Sequence, residues 1–119
     1  MKKMKCARFG FRTGNTLVAA LLYLLLKKPA HGYSLVDELR DLGIDPAFVS
    51  YGVAYRLLRD MEVRGLISSK WEIEGSGPPR RIYSITNSGR EYLKNWVNNA
   101  EKNLRVMNNL INKIKEVLK

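Results

Sequence analysis

The sequence predicts a mainly α-helical fold with one small β-hairpin. Apolar residues recur at the spacing of a helix over most of the chain, and they alternate at a spacing of two between residues 66 and 86. Glycine and proline separate these segments. With 119 residues, of which 45% are hydrophobic, the chain has room for one domain or for one domain with an extension.

The chain is strongly basic, with a net charge of +10 at pH 7 and an isoelectric point near 10.0. Such a charge in a small domain indicates a polyanionic partner, and nucleic acid suits it better than a membrane surface. The first 14 residues contain five basic side chains and no acidic one. Residues 1–14 are therefore predicted to be a basic N-terminal arm, which either contacts DNA phosphates or only keeps the protein in solution.

Several function classes are disfavoured by the residue types present. Cys6 and His31 are the only cysteine and histidine, so neither an internal disulfide nor a usual zinc site is expected, and the reducing cytoplasm is the expected location. The apolar run Leu17–Leu26 is shorter than the roughly 20 residues that span a bilayer, so no membrane anchor is expected. No carboxylate pair, glycine-rich phosphate loop or nucleophile with a base is recognisable, so we expect neither an enzyme nor a cofactor.

Two helices are predicted upstream of Gly43. The first begins at a cap on Asn15 or Thr16 and extends to about Lys27. It is apolar on nearly every side, so a second subunit is expected to cover part of it. A turn follows in which His31 is a turn or cap residue rather than a catalytic base, and Gly43 ends the second helix.

The third predicted helix, Ser50–Arg64, has two unlike faces. Ser50 is suited to cap its start and Gly65 to end it. The apolar face consists of Val53, Ala54, Leu57, Leu58 and Met61. The opposite face is basic and aromatic and includes Tyr55, Arg56 and Arg59. A helix presented to the major groove of DNA needs such a face, although an ordinary solvated surface would also fit it.

After Gly65 the spacing of apolar residues changes from 3.6 to 2, which predicts two strands over residues 66–74 and 80–86. A turn at residues 75–79 joins them. Three helices followed by a hairpin form a winged helix-turn-helix domain, here residues 15–86. Arg80 and Arg81 flank the tip of the wing, where they would meet phosphates or the minor groove unless the hairpin is simply solvated.

Residues 87–119 are predicted to form a long C-terminal dimerisation helix. Thr86 or Ser88 caps it, and Ser88 has the capping-box spacing to Glu91. Apolar residues then repeat in steps of four and three, namely Leu93, Val97, Ala100, Leu104, Met107, Ile111, Ile114 and Leu118. These residues, termed the seam, extend over about 39 Å, which disfavours the alternative that the helix folds back on its own domain. A homodimer is expected to cover them.

Three motifs together resemble the PadR family of transcriptional regulators. They are Pro29-x-His31-Gly32-Tyr33, Gly52-x-x-Tyr55-x-x-Leu58-x-x-Met61-Glu62-x-x-Gly65-Leu66-Ile67 and Gly77-Pro78-Pro79-Arg80-Arg81-x-Tyr83-x-x-Thr86-x-x-Gly89. The resemblance covers residues 16 to about 96. It implies a winged-helix repressor whose C-terminal helix dimerises against the first helix of the partner.

The resemblance also implies which residues face DNA. The matching positions are Ser50, Tyr51, Val53, Tyr55, Arg56 and Arg59 on the third helix, with Arg80 and Arg81 on the wing. Val53 departs from the family pattern, which often has a hydroxyl residue at that position. Family members often respond to small phenolic or flat aromatic compounds held between the subunits. Trp96, on the flank of the seam, is the candidate to stack on such an effector, with core packing as the alternative.

Taken together, these features predict a dimeric, sequence-specific DNA-binding repressor that recognises a palindromic operator and is released by a small aromatic effector. Arg56 and Arg59 are the candidates for reading guanine, because arginine can bond its O6 and N7 atoms bidentately. Tyr51, Tyr55 and the wing are expected to bind phosphates. The alternatives are a non-specific architectural DNA-binding protein, which the charge would also suit, and an interaction module that no longer binds DNA.

Overall fold

The computed structural model describes residues 13–44, 49–73 and 77–119. In chain order the elements are α1 (Thr13–Lys27), β1 (Ala30–His31), α2 (Gly32–Asp41), α3 (Tyr51–Val63), β2 (Ile67–Glu72), β3 (Arg80–Ile85) and α4 (Asn87–Leu118). The mainly helical fold and the hairpin of β2 and β3 agree with the prediction. Residues 1–12 of the predicted arm and residues 74–76 near the wing tip lie outside the described residues.

Helix α1 lies at the centre of the domain, where it contacts α2, β3 and α4. The helix begins at Thr13, so the predicted cap at Asn15 or Thr16 is wrong, and Gly14 belongs to the helix rather than to the arm. Weak helix formers are tolerated at a helix end when the turns that follow are held by packing. Between residues 16 and 27, most of α1 is buried within the chain, and a stripe that includes Tyr23 and Leu26 remains exposed.

The core joins α1 to the helix-turn-helix pair α2 and α3. Its fully buried side chains are Leu21, Leu22, Leu35, Val36, Leu39, Val49, Leu58, Met61 and Ile67. Burying one such side chain stabilises the fold by about 1.5–3 kcal/mol. The inward-facing residues of α2 and α3 therefore determine which faces of these helices are left outward.

The local signals at the ends of α2 and α3 are confirmed. Gly43 and Gly65 adopt positive φ angles of 91° and 80°, which residues with a Cβ atom rarely adopt, and they follow the two helices. At the start of α3, the Ser50 hydroxyl oxygen accepts a hydrogen bond of 3.1 Å from the backbone N–H of Val53. These caps fix the direction in which α3 leaves the core.

The sheet is antiparallel and has three strands in the order β1-β3-β2. Strand β1 was not predicted, because two residues are too few to show any periodicity. It pairs Ala30 with Tyr83 and His31 with Ile82, and so joins the start of α2 to the wing. The buried ring of Tyr83 packs into the core beneath this junction.

Helix α4 begins directly after the wing and extends far beyond the domain. Thr86 is its cap, since the Thr86 side-chain oxygen accepts from the N–H of Gly89 at 3.1 Å. The capping box predicted at Ser88 is wrong, because Ser88 is already inside the helix. The 32 residues of α4 span about 48 Å, and the molecule accordingly measures 66 × 29 × 29 Å. No helix in the described part of the chain is long and apolar enough to cross a membrane.

Candidate nucleic-acid interface

The outward face of α3 presents two arginines. Arg56 and Arg59 are one turn apart and exposed, while Ala54 and Leu58 on the other side are buried. Neither arginine forms an ion pair with any residue that the structure describes. Within the described residues, the N–H donors of both guanidinium groups are available for a partner outside the chain.

Val53 has a different position from the one that the resemblance implies. Its side chain is only partly exposed and packs against the hydrophobic core, and its N–H bonds to the Ser50 hydroxyl. Val53 therefore belongs to the supporting side of α3. The Ser50 hydroxyl is likewise engaged as the helix cap.

Two tyrosines border this face and contact α2. The Tyr51 hydroxyl lies 3.4 Å from Oδ1 of Asp37, and the Arg40 guanidinium lies 5.8 Å from the centre of the Tyr51 ring. The Tyr55 ring covers Gly32 so closely that a Cβ atom there would collide with it. Gly32 is therefore required for the close approach of α2 and α3.

Burial raises the pKa of the Tyr55 phenol above its ordinary value of 10.0, and the neighbouring hydroxyls of Tyr83, Tyr51 and Tyr33 raise this pKa further. The phenol is protonated at neutral pH, as any phenol with a pKa of 10.0 or higher is. A protonated phenol can donate a hydrogen bond to a phosphate oxygen.

The two wing arginines are on opposite faces of β3, because side chains alternate along a strand. Arg81 lies 3.4 Å from Oε1 of Glu62 on α3, and its guanidinium lies 5.0 Å from the centre of the Trp71 ring. Glu62 also accepts a hydrogen bond of 2.7 Å from the Ser69 hydroxyl. Arg81 thus connects the wing to α3. The sequence alone did not show that Arg80 and Arg81 make different contacts.

Arg80 faces the start of α2 instead. It donates a hydrogen bond to the Tyr33 hydroxyl, and its guanidinium lies 5.7 Å from the centre of the Tyr33 ring. The ring of His31 stacks on Tyr33, with centroids 5.7 Å apart and planes within 5°, and His31 Nε2 lies 2.7 Å from Oε1 of Glu72. His31 occupies the N-cap position of α2, as the sequence allowed, but its side chain makes no capping hydrogen bond.

Sequence reasoning missed the contributions of Tyr33 and Glu72 to this surface. Tyr33 belongs to the motif Pro29-x-His31-Gly32-Tyr33, but nothing in the sequence indicated that it contacts the wing. Glu72 lies 41 residues from His31, so their contact depends on the unpredicted pairing of β1 with β3.

The seam on α4 divides into a covered and an uncovered part. Leu93 packs against the core of its own chain. From Val97 onward the large apolar side chains of the seam are exposed, and every residue from 101 to 119 is exposed. Within the chain, nothing that the structure describes covers this part of the helix.

An open groove of about 1110 Å³ lies between α1 and the first half of α4. Its lining includes the aromatic rings of Tyr23 and Trp96 and the cationic side chains of Arg90 and Lys94. Trp96 is partly exposed there. Among the described residues, no group of three or more His, Cys, Asp or Glu side chains is arranged to hold a metal ion.

Comparison with known proteins places this arrangement among transcription factors. The structure is similar to TM0937, a conserved protein of unknown function and potential transcriptional factor, with 39% identity and a TM-score of 0.74 over 86% of this chain and 90% of the other. It is also similar to a PadR family transcription regulator from Clostridium difficile R20291, with 26% identity and a TM-score of 0.71 over 80% of this chain and 97% of the other.

A third similar structure is Bacillus subtilis PadR in complex with operator DNA, with 28% identity and a TM-score of 0.59 over 68% of this chain and 46% of the other. No curated protein matches the chain significantly. The family model of the transcriptional regulator PadR-like family matches residues 21–95, which include the core, α3, the wing and the start of α4. The chain therefore belongs to the PadR-like family of transcriptional regulators.

Proposed function

We propose that the protein is a dimeric, sequence-specific repressor that binds a palindromic operator in double-stranded DNA. The observation that carries the proposal is the pair of exposed arginines on α3, Arg56 and Arg59, which have no ion-pair partner among the described residues. In a helix-turn-helix domain the second helix of the motif enters the major groove, and α3 is that helix. The complex of the Bacillus subtilis relative with operator DNA supports the same role here.

Arg56 and Arg59 read guanine in this proposal, and the surrounding residues set the register. Tyr51 and the protonated Tyr55 phenol bind phosphates, while Ser50 holds the first turn of α3, whose free N–H groups attract phosphate. On the wing, Arg80 takes the phosphate contact. Arg81 contributes positive charge to the same surface while it remains attached to Glu62.

The dimer forms through the seam, with the exposed stripe of α1 as the surface that the partner's α4 covers. The exposed apolar side chains from Val97 to Leu118 and the groove beside Tyr23 and Leu26 support this assignment. A two-fold axis then places the two α3 helices in half-sites about 34 Å apart or a multiple of this distance. The basic arm adds a salt-dependent attraction without sequence preference.

A small, flat aromatic effector binds at the groove and stacks on Trp96, and it releases the repressor in the cytoplasm. The aromatic rings and the neighbouring cations of the lining support a ligand of this kind. Such a ligand would act allosterically only if it binds one geometry of the dimer more tightly than another.

Selection of bound duplexes from a random pool at physiological salt tests the proposal. Enrichment of a palindrome is the expected result. Arg59→Ala should weaken binding of the selected duplex by about 5-fold to 150-fold, the range for one bidentate guanine contact. Arg64→Ala is the matched control, because Arg64 is the C-cap residue of the same helix and pairs with Asp60 at 3.5 Å.

Two results would contradict the proposal. A pool that shows no enrichment, although the protein binds DNA, would favour the architectural protein. A chain that retains no duplex at all would favour the interaction module. If Arg59→Ala weakens the selected duplex and unrelated duplexes equally, Arg59 binds phosphate rather than a base.

A further inference from the structure

His31 and Glu72 connect the wing to the helix-turn-helix unit through a short polar contact. The 2.7 Å separation of Nε2 and Oε1 joins the start of α2 to strand β2. The two side chains are 19% and 34% exposed, so solvent screens this pair less than it screens a pair on the open surface.

The contact continues without a break to Arg80. The His31 ring stacks on Tyr33, Tyr33 accepts the hydrogen bond from Arg80, and Arg80 lies opposite Glu72 in the register of the sheet. The four side chains thus form one continuous chain of contacts, Glu72–His31–Tyr33–Arg80, which we term the wing clamp. Arg80 is the member of this set with a proposed phosphate contact.

We infer that His31 and Glu72 are positioning residues, which fix the wing against α2 and thereby hold Arg80 in the orientation that contacts DNA. This inference rests on the proposed function. Neither residue is required to touch DNA itself. A positioning role of Glu72 can be distinguished from a general effect of its charge, because Glu72 is an anion beside the surface that is proposed to bind phosphates.

The sign of the effect separates the two explanations. If Glu72 acts only through its charge, its removal will tighten DNA binding, because a nearby carboxylate repels phosphates. If Glu72 holds the clamp, its removal will weaken binding although the protein becomes more positive.

The experiment uses the full chain and a duplex selected from the random pool, with affinity measured by fluorescence anisotropy at neutral pH and fixed salt. Glu72→Ala should weaken binding about 5-fold, the loss expected when one typical intramolecular hydrogen bond is removed. Glu72→Gln retains an acceptor oxygen and should restore most of this affinity.

Asp41→Ala is the charge control, since Asp41 is exposed on α2 and the substitution changes the net charge equally. It should bind as tightly as the wild type or slightly more tightly. Binding by Glu72→Ala that matches this control would overturn the clamp, and so would binding by Glu72→Gln that is as weak as that of Glu72→Ala. If Glu72→Ala does not fold, His31→Ala decides, because it breaks the same contact; wild-type affinity in that variant would overturn the clamp. A wild-type chain that selects no duplex would overturn the proposed function and the clamp with it.

Discussion

Ile111→Asp is expected to dissociate the proposed dimer, because Ile111 lies in the middle of the uncovered seam. In one chain its exposed fraction is 41%, and the exposed fractions of the large seam residues reach 75% at Leu118. The six large side chains from Val97 to Leu118 together expose the equivalent of about three whole side chains. At 1.5–3 kcal/mol for each, full coverage in both subunits would contribute about 9–18 kcal/mol.

That contribution is comparable with the cost of association, which is about 4–15 kcal/mol, so the dimer depends on nearly complete burial of the seam. An aspartate at residue 111 loses the apolar contribution and places a carboxylate in the interface. Desolvation of a carboxylate costs several kcal/mol, and the symmetry of the dimer doubles the effect. A total of about 6 kcal/mol would raise the dissociation constant by about four orders of magnitude.

Sedimentation equilibrium over a range of concentrations measures this change directly. Asn112→Asp is the matched control: it introduces the same charge one residue further along α4, where the side chain is outside the seam. The control should remain a dimer and keep its affinity for DNA, while Ile111→Asp should be monomeric and bind much more weakly. The seam is not the interface if Ile111→Asp remains dimeric or if both variants dissociate alike.

Three other predictions concern the stability of the domain. Gly89→Ala should destabilise the fold by about 1–3 kcal/mol in urea unfolding, because a Cβ atom would collide with the Leu66 carbonyl oxygen. Gly52→Ala should not be destabilising, because the added Cβ atom would lie 3.8 Å from its nearest neighbour, the Ser50 hydroxyl oxygen. Thr86→Ala should cost about 1 kcal/mol through loss of the α4 cap, while Thr86→Ser should retain most of the stability. The raised pKa of Tyr55 implies stability that is fully present below pH 10.0 and lost as the pH rises through the folded-state pKa. In an alkaline absorbance titration Tyr55→Phe should remove a tyrosine that ionises above pH 10.0; loss of one that ionises at or below 10.0 would refute the assignment.

The features that could be predicted from the sequence are those determined by neighbouring residues. Ser50 and Gly65 bound α3 because a hydroxyl cap and a positive φ angle act within a few residues. The faces of α3 were predictable for the same reason, since the helical repeat alone separates Leu58 from Arg59. The start of α1 was not predictable from the sequence. The residues of its first turn have weak helix propensity, so the packing of the later turns determines where the helix begins.

Contacts between distant segments could not be predicted in this way. The two residues of β1 become a strand only because β3 returns beside them, and that pairing brings Glu72 to His31. Arg80 and Arg81 look equivalent in the sequence, but the alternation of the strand directs one toward Tyr33 and the other toward Glu62. The sequence thus predicted which residues lie on the outward face of α3, while the contacts of the wing residues with the rest of the domain required the fold.

The junction of the wing with α4 explains how one long helix can determine the spacing of two DNA-reading helices. Thr86 is the single residue between β3 and α4, and its hydroxyl lies 2.7 and 2.9 Å from the carbonyl oxygens of Gly65 and Leu66, just after α3. Three residues on, Gly89 is buried against Leu66. Because α3, the wing and the start of α4 are joined at one point, they are expected to move together. In the proposed dimer, the crossing of the two α4 helices would then set the distance between the two α3 helices, and the proposed ligand in the groove beside α4 would act on that crossing without contact with DNA.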